Sequence, residues 1–283
     1  MTIPINVPNI DKEEIREVTS VLLEKSLTSS SFEGGKRVQQ FEHLLSKFVK
    51  SKFAIAVNSG TSALQASLYA LDIKSGDEVL VPSFTFVATA NSVKAVGAKP
   101  VFVDILRENY TMDPDDLRKK ITKRTKAIIP VHLYGHVAYM EEIIELAKKN
   151  NLKIIEDASQ SLGSKFKGKH SGTFSHLGCF SFYGAKVTTS GEGGAIVTDD
   201  KNLCEKLKQI RNHGQSKNNL ITRLGLNLRL SEINAAIAKI QMKKLSLFLM
   251  QRKRNAKILT ELLQNCDVIL PKQRKNETFN WYL

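Results

Sequence analysis

Between Lys52 and Asp200 the chain alternates short apolar runs with stretches of helical periodicity, and no other feature narrows the fold as much. The runs FAIAV, DEVLVP, KPVFVD, KAIIPV, LKIIED, GCFSFY and GAIVT read as strands. Helices are expected after Thr61, after Thr85, after Asp113 with Pro114 in the first turn, after Val137 and after Asp200. Repeated strand–helix units bury both faces of a mostly parallel sheet, so the expected fold is a three-layer α/β/α sandwich. Two more helices, Asp11 to Glu24 and Lys36 to Val49, precede this region, joined by the polar turn TSSSFEGG, which reads as a flexible loop of the kind that serves as a lid. After Leu230 a long amphipathic helix is expected to about Gln264, followed by NETFNWYL, where a further strand begins. A domain boundary is expected inside that helix, dividing a large domain at 1–240 from the start of a smaller C-terminal one at 241–283.

Composition narrows the class. With 283 residues, 42% hydrophobic and 25% charged, the chain has room for a sizeable core. The opening MTIPINVPNID has no basic segment followed by an apolar stretch, and no apolar run approaches ~18 residues, so the expected location is the cytoplasm, without membrane contact. Cys179, Cys204 and Cys266 are too scattered for a disulfide framework or a CxxC site and read as buried thiols. His132 and His136 have ligand-like spacing, but Gly135 and the strand-like AIIPVHL argue against the helix that would aim both rings together, so no metal is expected. A net charge of +14 suits nucleic acid, an anionic surface or a small phosphorylated ligand. The basic residues gather in Arg118 to Lys126 and Lys239 to Lys257, which read as solvated helix faces; without interleaved aromatics to stack on bases, nucleic acid is the lesser alternative.

Ligands of parallel sheets collect at the carboxyl ends of the strands, where Gly60, Pro82, Asp157 and Tyr183 fall. Lys186 stands between the run Cys179 to Tyr183 and the turn GEGG at Gly191 to Gly194, and an amine held there can form a Schiff base. Asp157 closes LKIIED. In NSGTSAL, Gly60 permits close backbone approach, while Thr61 and Ser62 are expected to cap the next helix and donate to a phosphate; an ordinary N-cap is the alternative. An amine, a carboxylate and a helix N-terminus together suggest pyridoxal 5'-phosphate. Phe86 in PSFTF suits the face of a pyridine ring or the core, and Gln160 suits a ring hydroxyl. Asp157 suits a protonated ring nitrogen or a turn cap, and Ser181 a second phosphate contact or a satisfied strand hydroxyl.

The order SGTSAL, VPSFTFVATAN, GAKPVFVDI, KAIIPVHLYG, IIEDASQ, CFSFY, Lys186, GEGG, RNHG and LSEINAAI resembles the DegT-type nucleotide-sugar aminotransferases, a fold type I pyridoxal-phosphate family, over nearly the whole chain. The resemblance implies an aspartate-aminotransferase-like large domain with an incomplete small domain, related chains continuing for roughly another hundred residues. It implies that Lys186 bonds the cofactor, Asp157 meets the ring nitrogen, Gln160 the ring oxygen and Phe86 the ring face, with Gly60, Thr61, Ser62 and Ser181 on the phosphate. It also implies a homodimer with shared active sites, in which Asn227 of GLNLRLSEI, with Arg229 close by, reaches the neighbour's phosphate. The expected activity moves an amino group from an amino acid, glutamate by resemblance, to a keto-sugar linked to a nucleoside diphosphate, for polysaccharide or glycoside synthesis. Two alternatives stand beside it: a pyridoxal-phosphate-dependent sugar dehydratase, whose relatives carry histidine at the lysine position, and a non-catalytic DNA-binding regulator. Two positions depart from the pattern, Leu162 where relatives often have histidine and Val187 where they often have asparagine, which points to an unusual substrate preference.

Overall fold

In a computed structural model that describes residues 7–282, all seven expected strands join one sheet. The absence of a leader read from the opening residues lies in part outside the described residues. The strands are β1 (Phe53–Val57), β2 (Glu78–Pro82), β3 (Lys99–Val103), β4 (Thr125–Ile128), β5 (Lys153–Asp157) and, after the two-residue strands β6 (Lys165–Phe166) and β7 (Lys169–His170), β8 (Leu177–Ser181) and β9 (Gly194–Thr198). The sheet order is β1-β9-β8-β5-β4-β2-β3, with β9 antiparallel to both neighbours and every other pair parallel. The helices are α1 (Lys12–Leu23), α2 (Lys36–Val49), α3 (Gly60–Ala70), α4 (Ala88–Ala95), α5 (Pro114–Lys120), α6 (Met140–Lys149), α7 (Lys201–Arg211) and α8 (Glu232–Leu263).

Side chains alternate across a strand, and here they divide between the two faces of the sheet, where they join three apolar clusters. Ile55 and Val57 of β1 and Val79 and Val81 of β2 face a cluster with Leu64 and Leu68 of α3 and Leu207 of α7. Ala54 and Ala56 of β1 face the opposite cluster with Phe41 and Leu45 of α2 and Leu245 of α8, while Leu80 of β2 meets Leu117 of α5 and Ile143 of α6. Both faces are thus covered by helices, giving the expected three-layer sandwich.

Glu232, at the first turn of α8, is buried and accepts hydrogen bonds from the amides of Arg37 (2.8 Å) and Val38 (3.1 Å). It supplies the side-chain cap that α2, beginning after Gly35, lacks locally. Glu232→Ala should therefore cost about 1–3 kcal/mol, read as a thermal midpoint several degrees lower.

Four expectations need correction. The basic face of α8 is not wholly solvated: Lys239 bonds Glu17, and Lys244 lies 2.8 Å from both Asp11 and Glu14, because the acidic first turn of α1 packs against it. Cys179 and Cys204 are buried thiols, pushed up by burial, but Cys266 is exposed beyond the end of α8. The caps assigned to Thr61 and Ser62 belong to Ser59, whose hydroxyl accepts from the Ser62 amide at 3.0 Å, so the helix starts at Gly60, two residues earlier than expected. The strand expected at NETFNWYL is β10 (Glu277–Thr278), but the second sheet it forms, antiparallel to β6 beside β7, was missed, since the two-residue β6 and β7 carry no readable period. No helix among the described residues is long and apolar enough to cross a membrane.

Candidate active site

The carboxyl ends of β1, β5 and β8 open into a cavity of about 350 Å³. Of the residues singled out in the sequence, Gly60, Thr61, Phe86, Asp157, Gln160, Ser181 and Lys186 line it. The antiparallel pairing of β1 with β9 sets Val57 opposite Gly194, which brings the GEGG turn against the turn that starts α3. Only glycine serves at 194, because a Cβ there would run into the Ser59 carbonyl. A Cβ on Gly60 would lie 2.9 Å from Cβ of Ser181, so the first turn of α3 and the end of β8 meet with nothing between them.

Asp157 is 5% exposed, and each of its carboxylate oxygens has a partner. Oδ1 accepts from the Ser159 amide at 3.1 Å and Oδ2 from the Thr89 hydroxyl at 2.9 Å, while Thr85 lies 3.0 Å from Thr89 in turn. The turn-capping role of Asp157 is present, since one oxygen shapes the loop, and the side chain still lines the cavity. Gln160 is oriented by the Tyr134 amide, which donates to its Oε1 at 2.9 Å. Phe86 is 70% exposed beside the cavity, which removes the core alternative.

Lys186 is largely buried, and burial pushes its amine below the usual lysine range, with the Asp157 charge opposing the shift. A lysine moved toward its neutral form is a better nucleophile and a better proton acceptor. Its Nζ lies 3.4 Å from the hydroxyl of Tyr282.

Two assigned residues stand apart. Ser62 does not line the cavity: its hydroxyl donates to Asn58 Oδ1 at 2.6 Å. Asn227 is exposed and outside the cavity lining, its backbone carbonyl accepting from Asn58 Nδ2 at 3.4 Å. Sequence reasoning missed Ser59, Thr85, Thr89, Ser159, Glu192 and Tyr282 as lining residues. A signal existed for the threonines, which sit one helical turn apart, whereas Tyr282 arrives through a long-range contact that no local pattern announces. The paired histidines do other work. His132 Nε2 lies 2.9 Å from Glu156 Oε2 while its Nδ1 accepts from the Ala138 amide, and His136 stacks edge-on against Phe279. Among the described residues no cluster of three or more His, Cys, Asp or Glu could hold a metal ion.

Residues 8–283 match the model of the DegT/DnrJ/EryC1/StrS aminotransferase family. The chain belongs to this family. It is 40% identical over 258 residues to the GDP-perosamine synthase of Escherichia coli O157:H7, a match that covers 90% of this chain and 70% of that protein. Its fold is similar to the aminotransferase from Psychrobacter cryohalolentis, with a TM-score of 0.93 at 32% identity over 99% of this chain and 76% of that one. Against DesV of S. venezuelae the TM-score is 0.90 at 36% identity, over 95% of this chain and 72% of that one. Family members are sugar aminotransferases that use pyridoxal phosphate, and this aminotransferase shares that cofactor dependence.

The residues present fit that cofactor. A helix N-terminus closely backed by Ser181 suits its phosphate, a carboxylate fixed at both oxygens suits a protonated ring nitrogen, and a desolvated amine suits its aldehyde. Leu162 and Val187, the departures from the family pattern, are both buried in the apolar cluster around Phe180 and Phe182.

Proposed function

We propose that this aminotransferase transfers the amino group of an amino acid, glutamate being the donor the family resemblance favours, to a keto-sugar carried on a nucleoside diphosphate. The observation that carries this reading is the meeting of Lys186, Asp157, Gln160 and the first turn of α3 in one cavity. Bound there, pyridoxal phosphate supplies an electron sink and stores the amino group between two half-reactions. Lys186 anchors it covalently and, when released by the incoming amine, takes the proton from the donor's α-carbon at Nζ. Asp157 holds a proton on the ring nitrogen, with Thr89 and the Ser159 amide fixing the carboxylate's aim. Gln160 orients the ring oxygen, Phe86 covers one ring face, and Gly60, Thr61 and Ser181, which line the cavity as Ser62 does not, hold the phosphate. The amino acid leaves as a 2-keto acid and the keto-sugar as an amino sugar.

The surplus of positive charge suits a dianionic sugar nucleotide through long-range steering. Lys186 itself disfavours the dehydratase alternative, and the ion pairs from α8 to α1 engage part of the surface that a DNA-binding regulator would need. In the same reading, residues 1–240 form the cofactor-binding domain, 241–283 begin a smaller one, and Asn227 reaches the phosphate of a second subunit.

The direct test supplies glutamate and a panel of keto-sugars with and without the nucleoside diphosphate. The expected outcome is 2-oxoglutarate and amino sugar formed in equal amounts from nucleotide-linked substrates; turnover of free keto-sugars alone would contradict it. A second experiment tests the shared site. Co-expressing Lys186→Ala and Asn227→Ala chains should restore about a quarter of wild-type activity at limiting cofactor, since half of randomly formed dimers carry one intact site of two. No recovery would place Asn227 outside the neighbour's site.

A further inference from the structure

We propose that Tyr282 is a positioning residue for the Lys186 amine, steadying it as an ammonium ion facing the cavity whenever it is not bonded to the cofactor. This inference rests on the reading of Lys186 as the amine that moves the proton. The Tyr282 hydroxyl lies 3.4 Å from Nζ, and the face of its ring lies 4.7 Å from the same atom, so one side chain offers both a hydrogen-bond acceptor and a cation–π surface. Both contacts favour the charged amine and oppose the burial that favours the neutral one. Burial pushes the Tyr282 hydroxyl up, so at neutral pH it stays protonated and does not compete with the lysine as a base.

The segment that carries Tyr282 is pinned on three sides. Glu277, in β10, accepts from the Val137 amide at 2.8 Å and pairs with Arg274. The Asn280 amide donates to Ser164 Oγ at 3.1 Å, and its Nδ2 donates to the carbonyls of Gln160 (2.9 Å) and Leu162 (3.2 Å), tying the segment to the loop that follows Asp157. Arg252 of α8 donates to the carbonyls of Trp281 (2.8 Å) and Tyr282 (2.9 Å). The tyrosine ring is therefore set by α8 and by the Gln160 loop together, which fixes the amine relative to the ring-binding residues. Among the described residues, the other charged or titratable groups that share a cavity with Lys186 are Asp157 from β5, whose charge acts on the amine, Glu192 from the GEGG turn, Tyr183 from its own segment and Arg252 from α8.

The test compares wild type with Tyr282→Phe, which keeps the ring, and Tyr282→Leu, which removes it. In cofactor-free protein, the pH dependence of Lys186 acylation, followed on its peptide by mass spectrometry, reports the amine directly. Its midpoint should fall by about one pH unit in Tyr282→Leu and by less in Tyr282→Phe. With cofactor bound, Tyr282→Phe should lower kcat on the order of tenfold while leaving the donor KM nearly unchanged. Midpoints equal to wild type in both variants, or a change confined to KM, would overturn the proposal. An error in the Lys186 reading shows separately, as cofactor bonded to a different lysine in the wild-type chain.

Discussion

Lys186→Ala is expected to lose turnover on the order of 1,000-fold or more and to lose the coloured covalent complex with pyridoxal phosphate, while keeping its fold. The side chain is an anchor and a proton carrier at once, so no neighbour replaces it. Tyr282 and Tyr183 are too weakly basic for either role, and among the described residues no second lysine lines the cavity. Added methylamine should restore part of the rate, because a free amine reaches the space the side chain leaves. Assays of both half-reactions check this, and full turnover in the alanine variant would contradict it.

Asp157→Asn is expected to separate binding from rate. The amide keeps the shape of the carboxylate, so cofactor should still bind. What is lost is the negative charge that favours a proton on the ring nitrogen, an effect of roughly one to three pKa units for a close carboxylate. The protonated fraction, and with it the rate, should fall about 10- to 1,000-fold. The neighbours orient the substituted group: the Ser159 amide can only donate and so holds the carboxamide oxygen, leaving the NH2 to donate to the Thr89 hydroxyl, which turns to accept. The variant should therefore bind cofactor with near wild-type affinity and turn over slowly at every donor concentration. Equal loss of binding and rate would assign Asp157 to the scaffold instead.

Much of the sandwich was legible because its strands are continuous apolar runs, each near five residues and bounded by turn residues, a pattern that a sheet buried on both faces produces. Their clustering at one sheet edge followed from connectivity alone, and Gly60, Asp157 and Lys186 were found through it. The second layer of the site was less legible. Thr89 lies in a helix that reads as ordinary, and its importance comes from the carboxylate 68 residues away. Ser59 was passed over in favour of the neighbouring hydroxyls because a helix start is readable only to within a residue or two. Lys239 and Lys244 were read as solvated because their partners on α1 are more than 200 residues distant in sequence. Tyr282 combines both difficulties: an irregular segment delivers it to a lysine 96 residues away.

The central claim is that one amine, in this cavity, bonds pyridoxal phosphate. Mixing the chain with the cofactor, reducing with borohydride and mapping the labelled peptide tests it most directly. The account predicts one label per chain, on Lys186, prevented by prior reaction of the protein with an excess of amino donor. A label spread over surface lysines, or concentrated on any residue other than Lys186, would contradict it.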